Sequence, residues 1–441
     1  MSLLPLPADA DPIRVAELGL RDPLANPLFE RELAQRYLLF DAWVEGERRV
    51  NLHPLLLSPT LHAQAMAAAI AADALIDQVA GLALRDASEA QRYRFSPAVQ
   101  RLAQAAHRAG DRSRLVRVDL LLSETGWQAC EINADCPGGH NEALGLPQLA
   151  QAAGFFHGIN PTTLVADLVQ ALLDLAGGRA APSAEPGAIA LIYATAYAED
   201  LQVCALLQRE LRRHGARAIL AAPTALRRRG ERLYIGDEPI AVLYRYFPTE
   251  FMEGQRNLDD ILLAVKAGTL RCLSSFAAIY AQSKLAFARA FAQKDALPEP
   301  LRQALRVLPA TYDLSDCSAQ DLVNERERWV IKRALGRVGE EVFVGSLLSA
   351  PAWEQALQLA RDDEEQGEAW VAQAFVPQRP IQSMYGRLFL TLGAYVLNGR
   401  FAGYFARLTP QSHTSHSALC LPVFVQAPSF TPAPAVDQNN Q

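Results

Sequence analysis

Residues 113–133 read SRLVRVDLLLSETGWQACEIN, two runs of strand-forming residues around a short polar SETG. A β-hairpin locks both runs into one register, so this stretch constrains the fold more than any other. A three-residue loop, Glu124-Thr125-Gly126, with Gly126 at positive φ, is a common hairpin solution. It pairs Ser123 with Trp127, Asp119 with Glu131 and Arg117 with Asn133, which puts all four polar residues on one face. A two-residue loop would set Asp119 against Cys130 and break the cluster. Cys130 is then expected to face away from Asp119, into a core.

Two carboxylates directly across a strand pair repel one another. A hard divalent cation relieves that cost, and Mg²⁺ takes one or two carboxylates together with substrate phosphates. Asp119, Glu131 and the carbonyl oxygen of Asn133 are the candidate metal ligands. Arg117 beside them suits a bidentate grip on a phosphate. The same residues would also make a solvated face of ion pairs. Directly after the hairpin comes ADCPGGH, in which Gly138-Gly139 leaves backbone N–H groups free near a ligand.

The chain has 441 residues, half of them hydrophobic, enough for more than one core. A net charge of -6 gives no basic surface for nucleic acid. Met1–Ala10 lacks the charged start and apolar core of a signal peptide. The Ala-rich run after Leu61 carries His62, Asp73 and Asp77, so it reads as a soluble helix rather than a membrane span. Six cysteines without a CxxC pair fit a reduced, cytoplasmic chain. Among 42 basic residues only Lys266, Lys284, Lys294 and Lys332 are lysines.

Residues 1–112 are expected to be mostly helical, with Pro-marked breaks. Residues 161–177 form a helix and 177–187 a Gly/Pro/Ala linker. From 187 to 265, strands alternate with an amphipathic helix, a small α/β unit. VIKRALGRVGEEV has a strand ending at Lys332, glycines at 336 and 339, then a second strand. A glycine-bearing β-turn-β can fold over phosphates; no GK[ST] follows, so it is not a P-loop, and a surface hairpin has the same pattern. Downstream, Gln373 and Phe375 end an extended segment suited to an adenine edge. The dipeptide Asn398-Gly399 marks a tight hairpin turn. The segment from Ala427 is Pro-rich and polar, as in a disordered tail. His413 and His416 read as a polar loop.

Three elements occur together: the RxD…ExN hairpin, the strand-Lys-Gly-turn-strand, and WVAQAFVP. In this order they resemble the circularly permuted ATP-grasp enzymes, in particular the synthetase domain of glutathionylspermidine synthase, without its amidase domain. The resemblance implies a mixed α/β (α+β) fold of ATP-grasp type. Its parts would be a helical region (1–112), a metal and substrate part (113–180), a Rossmann-like pre-ATP-grasp unit (187–265), a nucleotide-binding part (266–426) and a tail (427–441).

It implies ATP and Mg²⁺ as cofactors and amide formation between a small-molecule or peptide carboxylate and an amine, through an acyl phosphate. No nucleic acid or membrane partner is implied. Asp119, Glu131 and Asn133 then look like the metal ligands. Arg117 and Lys332 look catalytic, toward the transferring phosphoryl group. Lys284, Lys332, Gly336, Gly339, Gln373 and Phe375 would hold the nucleotide. Cys136, Gly138, Gly139, Glu199, Asp200 and Arg407 would line the substrate site, with Glu199-Asp200 in the place of the family's polyamine-binding acidic pair. Both residues also suit a helix N-terminus. The chain departs from the family at Cys136–His140, where hydroxyl residues are usual. A non-ligating ATP-binding accessory protein and a kinase on the same fold remain open alternatives.

Overall fold

The computed structural model describes residues 12–18, 24, 26–40, 42–44, 46–177, 187–336, 341–413 and 417–427. Gly339, His416, the middle of the 177–187 linker and all of the expected tail beyond Ala427 lie outside the described residues. The fold is mixed α/β, built on several sheets.

The largest sheet runs in the order Leu419–Leu421, Arg400–Thr409, Gly386–Leu397, Leu115–Ser123, Gly126–Asn133, all antiparallel. Asn398 (φ 49°) and Gly399 (φ 79°) make the tight turn that joins its two longest strands. One face, carrying Val118, Leu120, Trp127, Ala129, Leu392, Ala394 and Ala406, packs into a single core with the helix Pro59–Ala83. Ser58 caps that helix by accepting from the Leu61 amide, and Pro59 pre-sets its first turn. Its alanines at 65, 68, 69 and 72 are buried, so the helix lies close on the sheet. By length and composition it could cross a membrane, yet half of its most apolar window is buried inside the fold, where Asp73 binds Arg114 at 2.8 Å.

Before residue 59 the expectation of helix is corrected. Ile13–Val15 and Leu55–Leu57 are strands, in a four-stranded sheet with Val423–Gln426 and Gly158–Ile159. Leu55, Leu56 and Leu57 are buried on both faces, which explains an uninterrupted apolar run between two prolines.

The α/β unit has parallel strands Ala188–Tyr193, Ala218–Ala221, Glu238–Tyr246 and Arg271–Leu273, with helix Ala198–Arg213 against them. A smaller antiparallel sheet is ordered Thr311–Asp313, Trp370–Ala374, Trp329–Arg333, Val342–Val344. Helix Ala350–Glu365 covers it, and Ile331, Trp353, Leu357, Trp370 and Ala372 form its own core. Arg94 ties this lobe to the helical region, donating to both Asp313 oxygens at 2.9 and 3.0 Å and to Glu364 at 3.1 Å.

Candidate active site

The hairpin pairs Asp119 with Glu131 and Arg117 with Asn133, but not through a three-residue loop. Ser123 faces Gly126, so the loop is Glu124-Thr125. Leu122 faces Trp127 and Leu120 faces Ala129. A β-bulge at Cys130 then restores the alignment of Asp119 with Glu131. The core dictates this solution. Trp127 and Ala129 are 1% and 0% exposed beside Leu122 and Leu120, and the Trp127 indole donates to the Leu61 carbonyl at 3.1 Å. A three-residue loop would have put Trp127 on the face of Asp119. Cys130 does not enter the core: it is the extra bulge residue, its thiol 3.4 Å from the Asp119 carbonyl. Burial pushes that thiol up to about 11, so Cys130 is no nucleophile at neutral pH.

Arg117 grips Asp119 through Nε at 2.7 Å and Nη2 at 3.0 Å. Arg407 donates to the same carboxylate from the opposite side, and Asn133 Nδ2 lies 3.4 Å away. Burial would raise the Asp119 carboxyl, but the two guanidinium groups outweigh it and hold it down at about 2. Both guanidinium groups also lie over the Phe405 ring, 5.6 and 5.5 Å from its centroid. Gly393 stands directly across from Asp119, and a Cβ there would come within 2.7 Å of Arg117 Cδ.

Glu131 pairs with Lys284 at 3.0 Å. Burial pushes its carboxyl up, and Lys284 with Lys332 brings it below the usual range. Lys284 Nζ also donates to the Gly336 carbonyl at 3.0 Å, in the turn of the small sheet. Lys332 Nζ reaches the Cys130 carbonyl at 3.3 Å and Gln373 Oε1 at 2.8 Å, and burial lowers its pKa. Four cations, Arg117, Arg407, Lys284 and Lys332, thus gather round two carboxylates. The surplus is positive and partly desolvated, which suits a polyanion. Among the described residues no three His, Cys, Asp or Glu side chains could hold a metal unaided. Asp119, Glu131 and Asn133 offer oxygen donors only, a set that fits a hard cation sharing phosphate oxygens with its ligand.

The Gly138 loop closes the site. The Gly138 carbonyl accepts from Arg117 Nη1 at 3.1 Å and from the Tyr395 hydroxyl. A Cβ on Gly138 would lie 2.9 Å from the Tyr246 hydroxyl and 3.1 Å from Glu199 Oε1. On Gly139 (φ 93°) it would meet Tyr395 and Phe405 at 2.7 Å. Glycine is therefore required twice here. Glu199 and Asp200 part company: Glu199 faces the loop, whereas Asp200 accepts from the Ala194 amide in its own turn at 3.3 Å. Cys136 packs at the edge of the core beneath. Phe375 follows the strand end, its amide bound to the Arg328 carbonyl at 2.8 Å.

Several residues escape a sequence reading. Gln282 Oε1 accepts from the Ala134 and Asp135 amides at 2.8 and 3.0 Å. Asp135 is fully buried against Arg245 and accepts from the Thr249 amide at 2.7 Å, clamping the loop to the α/β unit. Gly393 and Tyr395 lie in LGAYVL, where a glycine inside a strand was the available signal of a close approach.

The sheets and the cluster at their junction define a protein of glutathione synthetase-like fold. The apo structure of a glutathione synthetase-like effector from Globodera pallida superposes with a TM-score of 0.55 at 12% identity, over 92% of this chain and 98% of that one. A crystal structure described as a putative gamma-glutamylcysteine synthetase from Methylobacillus flagellatus KT gives 0.40 at 14% identity, over 78% and 89%. Residues 62–426 match the family described as glutathionylspermidine synthase preATP-grasp, and the chain belongs to that family. No curated protein matches it in sequence.

Proposed function

We propose that the chain is an ATP-dependent ligase of the ATP-grasp kind, joining a carboxylate to an amine with release of ADP and phosphate. The observation that carries this is the cation-rich cluster on the Arg117–Asn133 hairpin, facing the lysine and Gly turn of the small sheet. The hairpin precedes the small sheet in the chain, the order expected of a circularly permuted member. Family membership and the glutathione synthetase-like fold support the same class.

In this mechanism Lys284, Lys332 and the turn at Gly336 hold the nucleotide phosphates. Asp119, Glu131 and Asn133 would hold Mg²⁺, which neutralises charge on the phosphate oxygens. Arg117 and Arg407 stabilise the charge that develops as the γ-phosphoryl passes to a carboxylate oxygen, giving an acyl phosphate and ADP. The amine nitrogen then attacks the acyl carbon, loses a proton and expels phosphate. No side chain acts as nucleophile, so the chain's work is to position the groups and exclude water. The carboxylate substrate would lie along Gly138 and Gly139, and Glu199 would face the incoming amine.

The test is ADP release from Mg²⁺-ATP with panels of small carboxylates and peptides, with and without amines. Amine-dependent turnover and a stable amide product support the ligase. Turnover without amine would make it a kinase. Nucleotide binding without turnover on any pair would favour an accessory role. Replacing Glu131 or Asn133 by Ala should abolish turnover in a folded chain, and unchanged turnover would refute the site.

A further inference from the structure

The ammonium hydrogens of Lys332 are largely assigned before any ligand arrives. Nζ donates to Gln373 Oε1 at 2.8 Å and to the Cys130 carbonyl at 3.3 Å. An ammonium carries three N–H bonds, so one remains to be aimed. Gln373 is itself held in place. Its Nε2 donates to Thr311 Oγ1 at 3.1 Å, and that hydroxyl donates to the Pro309 carbonyl at 2.9 Å. Thr311 and Gln373 are direct cross-strand partners, and Lys332 pairs with Val371, which makes Gln373 its diagonal neighbour on the same face. Thr311 is 0% exposed and Gln373 4%, so the relay is dry. Its polarity is forced: the single hydroxyl hydrogen goes to Pro309, so Thr311 can only accept from the amide, and the amide oxygen must turn to the lysine.

We infer that Gln373 and Thr311 are positioning residues for Lys332, aiming its remaining N–H at the nucleotide phosphates, and that Gln373 does not read adenine as its sequence context suggests. The inference rests on the ligase reading above. A neutral acceptor suits the task. A carboxylate at 373 would neutralise the lysine as an ion pair and compete with phosphate, whereas an amide fixes geometry and leaves the charge for the ligand.

The full-length chain with Mg²⁺ is titrated with ATP and with GTP, and the dissociation constants compared. Gln373→Met should weaken ATP binding about tenfold or more, as expected for a buried hydrogen bond to a charged group. Gln373→Glu should weaken it further. Thr311→Val, which keeps the shape and removes the hydroxyl, should weaken it several-fold, and Thr311→Ser should rescue it. The Gln373→Met/Thr311→Val double variant should be no weaker than Gln373→Met alone, because both changes break one relay. The preference for ATP over GTP should not move in any of them. Wild-type ATP affinity in Gln373→Met overturns the inference while leaving the ligase reading standing. So does a lost ATP preference with a silent Thr311→Val, which would make Gln373 a base reader. A wild-type chain with no affinity for either nucleotide sinks the ligase reading, and this inference with it.

Discussion

At Gly393 a missing side chain leaves room for a guanidinium. Arg117 lies across the sheet because nothing projects from the position opposite Asp119. Gly393→Ala should push Arg117 off the Asp119 carboxylate, lowering ATP-dependent turnover by about tenfold or more, given how steeply such charge stabilisation depends on placement. Turnover equal to wild type would show that Arg117 tolerates the shift. Asp111 gives a different single-residue test, remote from the cluster. It is 4% exposed and accepts from the Cys272 amide at 3.1 Å. Burial pushes its carboxyl up to about 7, against the pull of that amide and of Arg271, Arg245 and Arg112. An unfolded Asp titrates near 3.9. The folded chain therefore keeps a proton that the unfolded chain gives up: this stability is whole below pH ~4 and is lost as pH rises through about 7. Asp111→Asn should be more stable than wild type at pH 8, by up to about 4 kcal/mol, and lose the advantage near pH 4. Denaturant midpoints across that range provide the measurement.

The hairpin shows what an element can hide from a sequence reading. Its polar quartet was legible, because Arg117, Asp119, Glu131 and Asn133 fall in matching positions. The route to it was not. Trp127 and Ala129 share parity with Glu131 and Asn133, yet the first two belong in the core and the last two in the site. Such a conflict within one strand is the signature of a bulge, and Cys130 is the residue that resolves it. Deleting Cys130 should leave Leu120–Ala129 running straight into Asp119–Glu131, every side chain still on its face. The chain should fold, with a melting temperature near that of wild type, but bind ATP more weakly, since Lys332 loses a carbonyl acceptor. Cys130→Ala keeps that carbonyl and should bind ATP normally. A deletion variant that cannot fold would mean the bulge is needed for the sheet itself. The Lys332 strand, its glycine turn and the α/β alternation were legible for the same reason as the quartet: each is a local pattern. Gln282, Asp135–Arg245 and Thr311 were not, because their partners lie in remote segments and no periodicity announces them.

Over the whole molecule, strands from widely separated parts of the chain share one sheet. Leu55–Leu57 runs parallel to Val423–Gln426, which also pairs with Gly158–Ile159. Phe424 in that strand is fully buried, 4.8 Å from Phe155 between ring centroids. Phe424→Ala should cost about 3–5 kcal/mol of unfolding free energy in the full chain, the usual range for emptying a buried aromatic site. A loss below 1 kcal/mol would mean this sheet is peripheral to stability. Mainly helical structure was expected for the first segment, and short strands whose partners lie hundreds of residues away were beyond local pattern. The two cluster lysines also span sheets. Lys284 joins Glu131 on the large sheet to Gly336 on the small one, and Lys332 joins Cys130 to Gln373 in the same way. A phosphate that draws both ammonium groups toward itself must take them from the acceptors that fasten the lobe. Occupancy and fastening are then one equilibrium seen from two sides: the ligand replaces the protein's own stitches, and when it departs the seam closes again on Cys130 and Gly336.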